Sequence, residues 1–242
     1  MDGVTRDGFL GGRVQAWQPR DGYRAATDPV FLAAACPAQP GEHVLELGCG
    51  VGVAALCLAA RVEGVRVTGV ERQAAYADLG RRNGVALIEA DLTDLPAELR
   101  QLSFDHVMAN PPYLAKGAGT AAQDAGRESA FREETPLADW CGVAKARLKP
   151  GGWLTMIHLA ERLPEILAAL DGYGSVAVLP LAAREGRAAG RVILRARKGG
   201  RGAFRLCAPI LIHEGAVHAR DGDDYSATAR AVLRNAEALT FD

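Results

Sequence analysis

Asn110, Pro111, Pro112 and Tyr113 end the apolar run "FDHVMA" with a turn that is poor in donors. Proline has no backbone N–H, so a sheet ladder stops where two prolines follow one another. The turn carries one side-chain amide and one aromatic ring on a stiff backbone. A second cluster, "LELGCGVG", sets Gly48, Gly50 and Gly52 between an apolar strand and an apolar helix. Glycines at such a junction allow a sharp turn and let a ligand approach the backbone. Glu71 closes the next strand, where an acid could grip two ribose hydroxyls. Asp91 closes the third, where it could accept from an adenine amino group. The spacing is G-x-G-x-G, with Val53 where the dinucleotide fingerprint needs its third small residue. No lysine followed by Ser or Thr comes after the glycines, which excludes a phosphate-cradling P-loop. The bland alternatives are a helix–sheet turn with chance acids, and a Pro-Pro turn with Tyr113 as packing.

Such residues work only if strand ends hold them on one side of a sheet. Strand-like runs, "HVLELG", "RVTGVE", "VALIEAD", "FDHVMAN", "WLTMIHLA", "SVAVLPLA" and "RVILRARKG", alternate with helical ones over much of the chain. That alternation predicts an α/β fold with a doubly wound, mainly parallel sheet. Gly84 falls just past one predicted helix and Pro164 in the first turn of another. The organisation expected is a lead-in over 1–42, a core over 43–202 and a C-terminal extension over 203–242. Within the lead-in, Asp28 is expected to cap the helix "PVFLAAA", with Pro29 at its first position. Residues 114–135 are small, polar and Gly-containing, a long loop of the kind that is functional or disordered.

The chain has 242 residues, 49% apolar and 24% charged, as globular proteins do. A net charge of −1 means that a nucleic acid would need a local basic patch. Cys36, Cys49, Cys57, Cys141 and Cys207 form no C-x-x-C pair and no zinc spacing, so no metal site is expected, and reduced thiols fit a cytoplasmic protein. No secretory signal or membrane-length apolar run is read in the chain. The histidines, His158 among them, show no recognisable constellation and are expected to be structural.

The glycine loop with Glu71 and Asp91 in register resembles the S-adenosylmethionine (SAM) pocket of class I methyltransferases. The resemblance implies a Rossmann-like sheet of seven strands, mainly parallel, with the last antiparallel. It makes Glu46, Gly48, Gly50, Gly52, Glu71 and Asp91 cofactor-binding, Glu46 at the methionine end. "NPPY" then resembles the [N/D/S]-P-P-[Y/F/W] motif of amino-methyltransferases, with Asn110, Pro111, Pro112 and Tyr113 as the catalytic turn. An exocyclic amine is a poor nucleophile because its lone pair is delocalised into the ring. Acceptors on its two hydrogens, the Asn110 oxygen and the Pro111 carbonyl, would draw that lone pair out. The prolines preorganise both oxygens, and Tyr113 would stack on the base.

The lead-in "FLGGRVQAWQPRDGYRAATDPVFLAAACP" resembles that of the bacterial tRNA(Val) adenine-N6 methyltransferase family. The matching pieces are Gly11, Gly12, Gln18, Gly22, Tyr23, Arg24 and Asp28. The resemblance implies N6-methylation of an anticodon-loop adenine in tRNA, with Tyr23 and Arg24 helping to close the SAM pocket. Other planar amines, in ribosomal RNA, DNA or a protein glutamine, are the rival acceptors, and a non-catalytic binding module is a rival of another class. Arg184, Arg187, Arg191, Arg195, Arg197, Lys198, Arg201 and Arg205, with Lys116, Arg127 and Arg132 of the loop, are candidates for a phosphate-binding face. A solvated charged hairpin is the competing reading, because alternate strand residues point to opposite faces. The oligomeric state is not legible.

Overall fold

A computed structural model of the chain describes residues 3–115, 132–133, 135–216 and 224–241. The lead-in forms an antiparallel hairpin, β1 (Val4–Phe9) and β2 (Val14–Pro19), joined through a short turn at Leu10–Gly12. Helix α1 (Asp28–Ala35) follows. The core then alternates: β3 (His43–Leu47), α2 (Val53–Arg61), β4 (Arg66–Glu71), α3 (Ala74–Arg82), β5 (Ala86–Glu89), α4 (Ala97–Gln101) and β6 (Phe104–Ala109). A two-residue parallel pair, β7 (Leu114–Ala115) and β8 (Arg132–Glu133), comes next. It precedes α5 (Leu137–Arg147), β9 (Leu148–Leu159), α6 (Leu163–Ala168), β10 (Tyr173–Ala182) and β11 (Ala189–Lys198). The tail adds β12 (Arg205–Leu206), β13 (Ile210–Leu211) and α7 (Ala227–Asn235).

The main sheet runs β5-β4-β3-β6-β9-β11-β10, with β12 and β13 both parallel to the edge strand β10. The first five strands are parallel, and β11 is antiparallel to both its neighbours. The seven expected strands and the antiparallel last one are therefore present, and two short tail strands make nine. The tail run "RLCAPILIH" holds both of these short strands, β12 and β13. Pro209 between its halves has no N–H to give a ladder. Strand β9 takes in "LKPGG" and so starts before the strand-like run "WLTMIHLA".

Two apolar layers cover the sheet. Helix α1 is buried at seven of its eight positions, which is why its sequence is apolar all round. It packs with α2 and α7 on one face, while α4, α5 and α6 cover the other. The chain order reverses between β3 and β6, and parallel α/β sheets bind ligands at that point, beyond the carboxyl ends of the strands. Register sets what converges there: Leu47 lies beside Val70 and Ala109, and Ala109 beside Met156. Glu46, Glu71, Asn110 and His158 thus reach one edge from four adjacent strands. No helix among the described residues is long and apolar enough to cross a membrane.

Candidate active site and cofactor cavity

An open cavity of about 1100 Å³ lies at that switch point. Ten of the twelve residues singled out in the sequence line it: Tyr23, Glu46, Gly48, Gly50, Glu71, Asp91, Asn110, Pro111, Pro112 and Tyr113. Gly52 and Arg24 do not.

Glu46 is 4% exposed and takes a backbone N–H from Ala55, in the first turn of α2. Gly52, the N-cap of that helix, has no side chain to offer. The second oxygen of Glu46, Oε2, is buried without a partner. Burial, reinforced by the charge of Glu71, pushes the acid up to about 8. A buried oxygen of this kind suits a cationic donor, as the ammonium of a methionine moiety would be. Glu71 spans the loop differently. Its Oε2 accepts from Gly50 N–H and its Oε1 from Gln73 N–H, both at 2.9 Å. The Arg72 N–H is directed at the same carboxylate, and the acceptor position that remains could hold a ribose hydroxyl. Burial raises the Glu71 acid despite the backbone N–H groups of Gln73, Gly50 and Arg72. Asp91 closes the far end. Its Oδ1 accepts from the backbone N–H of Thr93 at 2.8 Å and the hydroxyl at 2.7 Å, which holds the carboxyl below its ordinary range. Oδ2 has no hydrogen bond among the described residues and fits an amino-group donor. The residues present therefore fit SAM from one end of the cavity to the other.

Gly48 has φ +63°, and a Cβ there would come within 2.6 Å of the Trp140 ring. Gly50 has φ +55° with open space where a Cβ would point, the one glycine of the three that faces only the cavity. Gly52 has φ +85°, and a Cβ would fall 2.4 Å from Val85. Its expected cofactor contact is corrected to a packing role beneath the loop. Arg24 is corrected too. Its guanidinium donates to Asp7 Oδ2, Thr5 Oγ1 and the Pro19 carbonyl, all on the hairpin, so it braces the lead-in and does not reach the cavity. Tyr23 does reach it, anchored by its N–H to the Tyr76 hydroxyl at 2.8 Å. Burial, with the charges of Asp28 and Glu46, pushes its hydroxyl up to about 12.

The turn after β6 is held from three sides. The Asn110 amide donates to the Tyr23 hydroxyl. Buried His158 accepts the Leu159 N–H at Nδ1, so its Nε2 carries the proton towards the Pro112 carbonyl at 3.3 Å. Arg162 donates to the Tyr113 carbonyl at 3.4 Å. Asp28 is not the cap of α1 that the sequence suggests, for it makes no side-chain capping bond. Its Oδ2 instead accepts from the Tyr113 hydroxyl at 2.5 Å and from Arg191 Nε at 3.1 Å. The Arg191 guanidinium lies 4.6 Å from the centre of the Tyr113 ring. Burial and the charge of Asp28 hold the Tyr113 hydroxyl far above its usual range, so it stays protonated. One side of Tyr113 is thus occupied by Arg191, and only the remaining surface is open to a stacked base. Sequence reading missed Trp140, which lines the cavity, and gave Asp28, Arg191 and His158 other roles. The partners of Asp28 lie 85 and 163 residues away, beyond any local signal.

The basic cluster is largely dispersed. Arg195 donates to the carbonyls of Ala35 and Leu239 and lies over the Phe241 ring. Arg197 and Lys198 are bonded to the carbonyls of Gly151 and Leu148, at the opposite end of β11 from Arg191. Arg184 is paired with Asp224. Among the described residues, Arg184, Arg191, Arg195, Arg197 and Lys198 are bonded within the protein and do not make a continuous phosphate-binding face. Lys116 and Arg127 lie outside the described residues.

The family model of the methyltransferase small domain matches residues 26–170. A protein of Actinobacillus succinogenes, "tRNA1(Val) (adenine(37)-N6)-methyltransferase", is 30% identical over 199 residues, covering 78% of this chain and 82% of that one. A Streptomyces pristinaespiralis protein, "4-amino-L-phenylalanine/4-methylamino-L-phenylalanine methyltransferase", is 31% identical over 147 residues, 54% of this chain and 48% of that one. The crystal structure of a predicted O-methyltransferase, protein Atu636 from Agrobacterium tumefaciens, superposes with a TM-score of 0.70 at 28% identity, over 88% of this chain and 98% of that one.

Proposed function

Since this chain belongs to the methyltransferase small domain family and takes SAM as cofactor, we propose that it N6-methylates an adenine of tRNA, at the anticodon-loop position 37. The single observation that carries the acceptor is the long relative of that name, matched over 82% of its length. The "NPPY" turn lining the cavity supplies a chemistry consistent with it.

When bound, SAM supplies a methyl group on an electrophilic sulfonium. Glu46 would hold its ammonium, Glu71 a ribose hydroxyl and Asp91 its adenine amino group. The protein's part at the acceptor is to bind and orient a flat amine. Asn110 Oδ1 and the Pro111 carbonyl accept its two hydrogens, which returns electron density to the nitrogen. The prolines fix the turn and the His158 bond holds its next carbonyl, that of Pro112, so little reorganisation accompanies the reaction. Tyr113, edge-on to His158 with ring centres 5.3 Å apart, flanks the base on the side away from Arg191. No strong general base is required, because the product ammonium is acidic enough to lose its proton to water. A loop adenine is cheaper to extrude than a paired one, which favours tRNA over duplex DNA. Such a substrate places the protein in the cytoplasm.

The test is methyl transfer from labelled SAM to separate pools of unmodified tRNA, ribosomal RNA, duplex DNA, release factor and 4-amino-L-phenylalanine, with products identified by mass spectrometry. N6-methyladenosine in tRNA alone, lost in Asn110→Ala, is the expected result. Label in another planar amine would keep the chemistry of the turn and replace the acceptor.

A further inference from the structure

The Tyr113 hydroxyl has one proton and two acceptors in reach. Asp28 Oδ2 lies at 2.5 Å and Asn110 Oδ1 at 2.9 Å. The carboxylate is the stronger acceptor, and charge-assisted bonds are the shorter ones. A hydroxyl that donates to Asp28 cannot donate to Asn110. The Asn110 amide is itself oriented by its donation to Tyr23, which keeps its oxygen on the Tyr113 side. Without Asp28, the oxygen of Asn110 would be the acceptor left beside that hydroxyl.

We propose that Asp28 is a positioning residue for catalysis: by taking the Tyr113 proton it leaves Asn110 Oδ1 free to accept from the substrate amine. Arg191 serves the same end, since its Nε bond orients the Asp28 carboxylate and its guanidinium stacks on the ring that carries the hydroxyl. The lead-in helix and the antiparallel strand β11 thereby control an oxygen that neither of them carries. The inference rests on the reading of Asn110 Oδ1 as an amine acceptor.

A double-mutant cycle tests it. Asp28→Ala is expected to lower kcat for methyl transfer by about tenfold, the effect of one hydrogen bond withdrawn from the reacting group, while affinity for S-adenosylhomocysteine holds. In a Tyr113→Phe background the same substitution is expected to change kcat little, because no hydroxyl remains to cover Asn110. A purely structural Asp28 would cost the same in both backgrounds, and that result overturns the proposal. Should Asp28→Ala fail to fold, Asp28→Asn carries the test: slower alone, with no further loss when combined with Tyr113→Phe. A second readout needs no acceptor at all. The side-chain carbonyl ¹³C resonance of Asn110 should move downfield in Asp28→Ala and return in the double variant. No movement overturns the proposal, whichever substrate is turned over. If Asn110→Ala transfers methyl as fast as wild type, the amine reading itself fails, and the carbonyl resonance still decides where the proton of Tyr113 goes.

Discussion

The imidazole Nε2 of His158 faces the carbonyl oxygen of Pro112 at 3.3 Å, and it can act there only as a donor. Nδ1 is already occupied by the Leu159 N–H, so the tautomer is set by the backbone that follows it. A neutral histidine buried at the end of β9 thus fastens the turn at the end of β6.

His158→Ala should lower methyl transfer by about fivefold, the worth of one neutral hydrogen bond. His158→Gln, which retains an amide donor, should recover part of it. The acid behaviour follows from burial and, next, the charge of Arg162, which lower the histidine to about 4. The unfolded ring takes a proton near pH 6.5, and the folded one resists until about 4. The stability it contributes is full above about pH 6.5 and is lost as pH falls through that window. Melting temperatures from pH 7 to 4 should decline more steeply in wild type than in His158→Gln.

Glu46 behaves in the opposite sense. Its folded acid lies near 8, above the unfolded value, so the apo-protein loses stability as pH rises from the usual carboxylate range towards 8. Glu46→Gln should therefore melt higher than wild type at pH 8 without ligand. The same variant should bind SAM about 10–100-fold more weakly, having lost the charged partner of the ammonium. Calorimetry at pH 7 in buffers of different ionisation enthalpy should show proton release on binding in wild type and none in Glu46→Gln.

The three glycines should separate folding from binding. Gly52→Ala meets Val85 at 2.4 Å and Gly48→Ala meets Trp140 at 2.6 Å, so both should unfold at lower temperature. Gly50→Ala meets nothing and bears only the backbone cost of a left-handed residue, about 1–2 kcal/mol. It should raise KM for SAM more than it lowers the melting temperature.

Arg24→Ala should leave SAM affinity unchanged. It removes a partly exposed pair with Asp7 of the kind worth at most about 1 kcal/mol. Arg195→Met should destabilise the chain, because two carbonyls lose their donor, yet leave the salt dependence of RNA binding as it was.

The sequence by itself determined the alternation of strands and helices, the switch-point site and ten of the residues that line its cavity. Those features are local: glycines that need positive φ, prolines that end a ladder, acids at or just past the end of a strand. Parallel register then brings such residues together, because strand ends in this fold share one edge. Tertiary structure alone decided which groups hold them. Asp28 looks like a helix cap in sequence, and packing of α1 against β9 and β6 turned it to Tyr113 instead. Arg195 looks like a surface cation, and the tail folding back over α1 made it a half-buried structural donor. Both outcomes depend on partners more than forty residues away in sequence, and a hydrogen bond goes to whichever acceptor the packing leaves unsatisfied.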